Sequence, residues 1–304
     1  MKLKTKDLLT LAELTPKEFL GLIDYSIKLK KEFKKNGNKP ILKNKTLTMI
    51  FQKPSTRTRV SFEIGMYQLG GHAINLTSND TQLSRGESIE DTAKTLSRYT
   101  NCIMARVYDH QLLNKLSKHA SVPVINGLSD SFHPCQILAD FMTIKENKRK
   151  LKGLKIAWIG DGNNVCNSMI YGAALSGIDM SIATPKGYEP NKTVVKESLK
   201  LTNIELTTDP FVATKNADIV VTDTYSSIHN NNPKRIKKFL PKYQVNSKLM
   251  CTAKENAIFM HCLPAKREQE VTSSIIDGHQ SVVWDEAENR LHTQKALLAA
   301  LIRA

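Results

Sequence analysis

The sequence predicts an α/β protein of two domains. Each has a central parallel sheet flanked by helices, and the active site is expected in the cleft between them. Three observations carry this. Short β-branched or apolar runs alternate with helix-length segments, the pattern of parallel sheets with crossover helices. The 304 residues exceed what one core usually holds, so two domains of about 150 residues are expected. Polar clusters recur at the carboxyl ends of the strand candidates, where open parallel sheets bind ligands.

The first helix is marked by Thr15-Pro16-Lys17-Glu18, a capping box with proline at the first helical position. Phe19, Ile23 and Ile27 form its buried stripe, and Asn36-Gly37 ends it. Strands follow at 46–51, 72–77, 101–106 and 122–126. A lysine-rich segment over 141–153, ending in Gly153, reads as a helix and a boundary. The expected domains are therefore 1–140 and 151–290. Further strands are expected at 155–160, 179–184, 218–223, 257–261 and 281–284. The last segment, TQKALLAALIRA, reads as a helix with no strand after it; residues 291–304 are expected to pack back on the first domain.

Composition narrows the function classes. No run approaches the ~18 apolar residues of a membrane helix, and MKLKTKDLLTLAEL has no long apolar core of a leader peptide. Cysteines 102, 135, 166, 251 and 262 are odd in number and show no CxxC spacing. A reduced, cytoplasmic protein is expected. The formal charge of +15 is spread over helix faces such as KLKKEFKK (28–35) and KENKRK (145–150). No basic run is interleaved with aromatics, so neither nucleic acid nor membrane is an expected partner.

The stretch FQKPSTRTRVSFE, residues 51–63, is a strand-to-helix turn. Val60, Ile64 and Tyr67 recur at helical spacing after it, and Gly70-Gly71 supply a stop. Such turns hold phosphates on backbone N–H groups and the helix dipole, usually with glycines. Here Lys53, Ser55, Thr56, Arg57, Thr58 and Arg59 stand instead. Hydroxyls and guanidinium groups bind a small phosphate from one side and leave the other open for reaction. A plain serine cap with two solvated arginines is the competing reading.

The other clusters follow the same placement. Arg106 closes the strand NCIMAR, where a structural ion pair is the alternative. His133 and Gln136, in HPCQ, offer a donor to a carbonyl oxygen and a positioning amide, or a helix cap with a satisfied histidine. DGNN (161–164) follows KIAWIG, Asp223 ends ADIVVTD, and His261-Cys262-Leu263-Pro264 ends AIFMHCLP. WIGDGNNV lacks the third glycine of a dinucleotide fingerprint, and the next strand does not end in an acid. No partner ligand stands at metal spacing beside His133.

Taken in order, STRTR, HPCQILAD, GDGNN, the strand ending TD, HCLPA and DEAENRLHTQKALLAAL resemble the aspartate/ornithine transcarbamoylase family, on its ornithine branch. ATPKGYEP (183–190) and YQVNSK (243–248) are also similar, so the resemblance covers nearly the whole chain. It implies transfer of the carbamoyl group of carbamoyl phosphate to the δ-amine of L-ornithine, giving citrulline and phosphate, a step of arginine metabolism. No metal or organic cofactor is implied. Ser55, Thr56, Arg57 and Thr58 would hold the phosphate. Arg106, His133, Pro134, Cys135 and Gln136 would bind the carbamoyl end, with Cys262, Leu263 and Arg290 completing the carbonyl pocket. Gln82, in TQLSRGES, would come from a neighbouring subunit of a homotrimer with shared sites. Asn164, Asp223, Ser227 and Ile228 would bind ornithine. The catalytic set implied is Arg57, Arg106, His133, Gln136, Asp223, Cys262 and Arg290.

One stretch departs from the family. Where it usually reads D-x-W-x-S-M-G, this chain has Asp223-Thr224-Tyr225-Ser226-Ser227-Ile228-His229. Ser227 keeps its place, while Ile228 and His229 replace Met and Gly. A transcarbamoylase for another amine (modified ornithine, putrescine or lysine) and a non-catalytic carbamoyl phosphate-binding protein therefore stay open.

Overall fold

The computed structural model describes residues 1–225 and 233–302. The chain divides into two compact units. Unit 1 is Met1–Met142 with the chain from Glu288 onward, and unit 2 is Thr143–Ala287.

Among the described residues, unit 1 carries four parallel strands: β1 (Thr46–Phe51), β2 (His72–Thr77), β3 (Cys102–Arg106) and β4 (Val124–Leu128), in the order β2-β1-β3-β4. Its helices are α1 (Pro16–Asn36), α2 (Thr56–Gln68), α3 (Ile89–Tyr99), α4 (His110–His119) and the start of α5 (Pro134–Lys148). The expected capping box is present: Thr15 Oγ1 accepts from the Glu18 N–H at 3.3 Å and Glu18 Oε2 accepts from the Thr15 N–H at 3.0 Å. Gly37, at φ +76, ends α1 in a backbone region that side chains disfavour. Phe19 and Ile23 are buried as the stripe requires, and Ile27 is half-buried. Ile50, Ile103, Ala105, Val107, Leu113 and Val124 form one core cluster on the sheet.

Unit 2 carries β5 (Lys155–Ile159), β6 (Asp179–Ala183), β7 (Ile204–Thr207), β8 (Ile219–Thr222) and β9 (Ile258–His261), all parallel, in the order β7-β6-β5-β8-β9. Its helices are α6 (Asn164–Ser176), α7 (Lys192–Ser198), α8 (Pro210–Thr214), α9 (Pro233–Phe239), α10 (Ser247–Met250) and α11 (Ser273–Ile276). Its core runs from Ala157, Ile159 and Val220 on the sheet to Tyr225, Phe239, Phe259 and Val283. The strand order reverses direction between β5 and β8, the switch point where ligands of such sheets bind.

Two strand expectations are corrected. Residues 281–284 are not a strand: Ser281 makes only an isolated bridge to Phe259, and helix α12 (Val283–Ile302) begins at once. Asp285 and Glu286 stand in its first turn, where the helix dipole favours acids, and this outweighs the β-branched Val282-Val283 pair. Conversely, β7 has no counterpart among the expected strands. It is a short edge strand whose Glu205 and Leu206 are exposed, so it lacks the apolar run that announces a central strand.

Candidate functional site

In unit 1 the turn after β1 gathers the first set. Ser55 is extended (φ −159, ψ 109) and caps α2, its Oγ accepting from the Thr58 N–H at 3.3 Å. Thr56 opens the helix in exposed surroundings, and Arg57 is half-buried behind it. The two arginines part company. Arg59 is exposed and pairs along its own helix, Nε to Glu63 Oε2 at 3.3 Å. The Arg57 charge instead acts on His133. Lys53 is buried, its Nζ 3.9 Å from the centroid of the Tyr108 ring.

Around this turn stand buried polar groups. Arg106 ends β3 at 8% exposure, where the register with β4 shifts. His133 directly precedes α5, and its carbonyl accepts from the Gln136 N–H at 3.1 Å. Burial and the Arg290, Arg106 and Arg57 charges hold the His133 imidazole well below its usual basicity. It is therefore neutral at pH 7, able to donate one N–H without bringing a further charge. Arg290, on α12, donates from Nη1 to Gln136 Oε1 at 2.6 Å and from Nη2 to Thr58 Oγ1 at 3.4 Å. Gln136 Nε2 in turn donates to Asp140 Oδ1 at 2.8 Å.

Three expected residues stand apart from these contacts. Pro134 is buried at the start of α5, and Cys135 turns its thiol to the Asn126 carbonyl at 3.4 Å. Burial pushes that thiol up to about 12, so its side chain is packing rather than a reactive group. Gln82 is exposed on the short 3₁₀ turn Gln82–Arg85.

In unit 2 the second set stands at the ends of β5, β8 and β9. Asn163 caps α6, its Oδ1 accepting from the N–H groups of Val165 at 3.0 Å and Cys166 at 3.1 Å. Its Nδ2 donates to Asp223 Oδ2 at 2.7 Å. Asp223 Oδ1 accepts from the Thr224 N–H at 2.7 Å and from the Cys262 thiol at 3.3 Å. Asn164 is the first residue of α6 and half-buried. The glycine of DGNN has a packing reason. A Cβ on Gly162 would lie 2.3 Å from the Pro190 nitrogen, and the Gly162 N–H donates to the Tyr188 carbonyl at 2.9 Å. Close approach to the 188–190 backbone, not a dinucleotide, requires glycine here.

His261 is fully enclosed. Its Nδ1 accepts from the Leu263 N–H at 2.9 Å and its Nε2 faces Glu270 Oε1 at 3.2 Å. Asp223, His261 and Cys262 are close enough to be considered as metal ligands. Both His261 nitrogens are already engaged, so the donor set does not fit a metal without breaking these bonds. The Leu263 bond holds that residue at φ +55, a left-handed conformation that costs a non-glycine residue about 1 kcal/mol or more.

Sequence reasoning missed several of these contacts. Asn163 both caps α6 and donates to Asp223, a double role that the Asn-Asn pair in the sequence does not announce. Arg235 pairs with Asp161 and donates from Nε to the Tyr225 carbonyl at 2.9 Å. Burial raises Asp161 to about 6, against the Arg235 charge and with the Asp223 charge. Asp140, inside HPCQILAD, likewise passed as a helix residue. Ser227, Ile228 and His229 lie outside the described residues.

The arrangement offers cations, a helix start and a neutral imidazole in unit 1, and an acid with a thiol and an amide in unit 2. Comparison with known proteins agrees with that chemistry. Residues 6–146 match the family model of the aspartate/ornithine carbamoyltransferase carbamoyl-P binding domain, and 152–301 that of the Asp/Orn binding domain. The chain is 61% identical over 301 residues to an ornithine carbamoyltransferase of Cenarchaeum symbiosum, covering 99% of each. It is 52% identical to that of Carboxydothermus hydrogenoformans, over 98% of this chain and 97% of the relative. Among solved structures, the ornithine carbamoyltransferase of Pyrococcus furiosus superposes with a TM-score of 0.93 at 50% identity, covering 98% and 97% of the two chains. The anabolic enzyme of Campylobacter jejuni gives 0.93 at 41% identity, covering 99% and 100%.

Proposed function

The chain belongs to the aspartate/ornithine carbamoyltransferase family, and from that premise we propose that it transfers the carbamoyl group of carbamoyl phosphate to the δ-amine of L-ornithine, giving L-citrulline and phosphate. The observation that carries the reading is the buried chain Thr58–Arg290–Gln136 beside a neutral His133. It presents donors to a phosphate and a carbonyl oxygen, and it sits under the helix start capped by Ser55.

The roles follow from the groups. Ser55, Thr56, Arg57 and Thr58 take the phosphate oxygens. Arg106, His133 and Arg290 stabilise the oxyanion that forms when the neutral amine attacks the carbamoyl carbon. Gln136 meets the carbamoyl NH₂, and Cys262 with Leu263 borders the same carbonyl. The C–N bond forms, the tetrahedral centre collapses, and the C–O bond breaks with its electron pair leaving on phosphate, which carries away the proton that the attacking amine gives up. Asp223, held by Asn163 and Cys262, takes the α-ammonium end of ornithine, with Asn164 beside it. Fixing both reactants supplies much of the rate.

Two further parts of the proposal concern assembly and compartment. The protein forms a homotrimer in which Gln82 serves a neighbouring site. An apolar face of α2 supports this, with Val60, Ile64 and Tyr67 exposed at 50%, 40% and 78%. A cavity of about 670 Å³ beside Ser55 and Thr56, walled by Val60, Asn75 and Thr77, is room for a residue of another copy. Five cysteines outside any disulfide and the lack of a membrane-length apolar helix among the described residues support a cytoplasmic enzyme.

A second reading, a transcarbamoylase for a modified amine, is favoured by Ile228 and His229 in place of Met and Gly. Assay of carbamoyl phosphate with ornithine, putrescine and lysine separates the two. Citrulline formation faster than any other product is expected, and Arg57→Ala should lower it by about a thousandfold with the fold intact. A higher kcat/KM on another amine would replace this reading with the second.

A further inference from the structure

Asp140 is buried at 1% exposure on α5, one helical turn beyond Gln136, and nothing in the proposed chemistry uses it. Its Oδ1 accepts from Gln136 Nε2 at 2.8 Å, while Gln136 Oε1 accepts from Arg290 Nη1 at 2.6 Å. Gln136 and Arg290 are buried as deeply, at 1% and 2%. An amide has a donor end and an acceptor end, and a carboxylate only accepts. With Asp140 ionised, the amide has one satisfactory orientation. The inverted one would set oxygen against carboxylate and NH₂ against guanidinium, and such unpaired buried groups are costly.

We propose that Asp140 is a positioning residue: it fixes which end of the Gln136 amide is presented to the ligand, so that the site selects a carbamoyl over an acyl phosphate. Arg290 also favours this orientation, but it is the group that must turn to ligand oxygens during the reaction. Asp140 keeps its hold when the guanidinium moves. A fixed acceptor oxygen suits the carbamoyl NH₂, which needs an acceptor. It is left unpaired by acetyl phosphate, which has a methyl group there, and a buried acceptor without a donor is a strong basis for rejection. The inference rests on the reading of Gln136 as the residue that meets the carbamoyl group.

The test compares carbamoyl phosphate, acetyl phosphate and inorganic phosphate on the full-length protein, as dissociation constants or as competitive inhibition constants. In Asp140→Ala the preference for carbamoyl over acetyl phosphate should fall by about tenfold to a hundredfold, with phosphate affinity within about threefold of the parent. Asp140→Asn keeps an acceptor but loses the charge, which roughly halves the strength of the bond. It should lower the preference by about threefold to tenfold, and it carries the test alone if the alanine variant does not fold. An unchanged preference in Asp140→Asn overturns the proposal. So does an equal weakening of all three ligands, which would mean general damage to the pocket. Citrulline formation by the parent protein separates the two levels. Its absence removes the functional reading itself, while its presence with an indifferent Asp140 removes only this inference.

Discussion

Lys53 offers a test of the proposed anion site through pH. Its ammonium lies over the Tyr108 ring. Burial, reinforced by the nearby Arg106 charge and opposed by Asp130, lowers it to about 8. The sign is that of a cation: charged below that value, neutral above it. Carbamoyl phosphate should therefore bind best below about pH 7, begin to weaken between 7 and 8, and weaken steadily as pH rises to 9.5. Lys53→Met should bind more weakly at pH 7 and lose the bend. Titration of binding against pH reads both, and a parent curve with no bend between 7 and 9.5 would remove Lys53 from the site. Cys262 is a second case. Its thiol donates to Asp223 Oδ1, so Cys262→Ser changes the acid that should hold ornithine while nearly preserving volume. Ornithine KM should rise about tenfold with the melting temperature within a few degrees, since such cleft changes cost under ~1 kcal/mol. Substrates should also slow alkylation of the thiol; equal rates with and without them would put it outside the site.

Elements were legible where one face alone is apolar, and ambiguous where two are. Helix α2 illustrates the difference. Its period is clear in the sequence, yet the face marked by Val60, Ile64 and Tyr67 is exposed, and Thr58, Ser61, Phe62, Gly65 and Met66 form the buried one. Gly65 is buried because α12 comes close: a Cβ there would stand 3.4 Å from Lys295 Cγ. Small and polar residues at a tight helix contact do not register as hydrophobic signal, so the period gives the helix but not its inward side. The same physics hid β7, whose edge position leaves Glu205 and Leu206 in solvent. The exposed α2 face then needs a partner, and a second copy is the proposed one. Ile64→Glu with Tyr67→Glu would place two acids in that contact. The variant should sediment as a monomer with unchanged secondary structure, and it should lose activity that depends on the neighbour's Gln82. A parent protein that is itself monomeric at micromolar concentration would defeat the trimer and this role of Gln82 together.

At the scale of the whole molecule, each unit has its own sheet, core and polar set, and the proposed reaction assigns one substrate mainly to each. Motifs local in sequence, STRTR and HPCQ, were readable because a turn and one helical turn suffice to assemble them. Contacts between distant residues were not: Asp161 and Arg235 are 74 positions apart, and no pattern links them. This division makes the unusual stretch at Ser227-Ile228-His229 testable through the two substrates separately. In the proposed reaction the first substrate draws mainly on the STRTR and HPCQ stretches of unit 1, which follow the family throughout. The second substrate is proposed to use the segment after Asp223, where the sequence has histidine in place of a glycine that can adopt positive φ at little cost. Ile228→Met with His229→Gly should therefore lower ornithine KM by several-fold and leave carbamoyl phosphate affinity unchanged. A change confined to carbamoyl phosphate would contradict the division. If the double variant gains on ornithine while the parent prefers another amine, residues 228 and 229 are the specificity determinants, and the segment has been tuned to that amine.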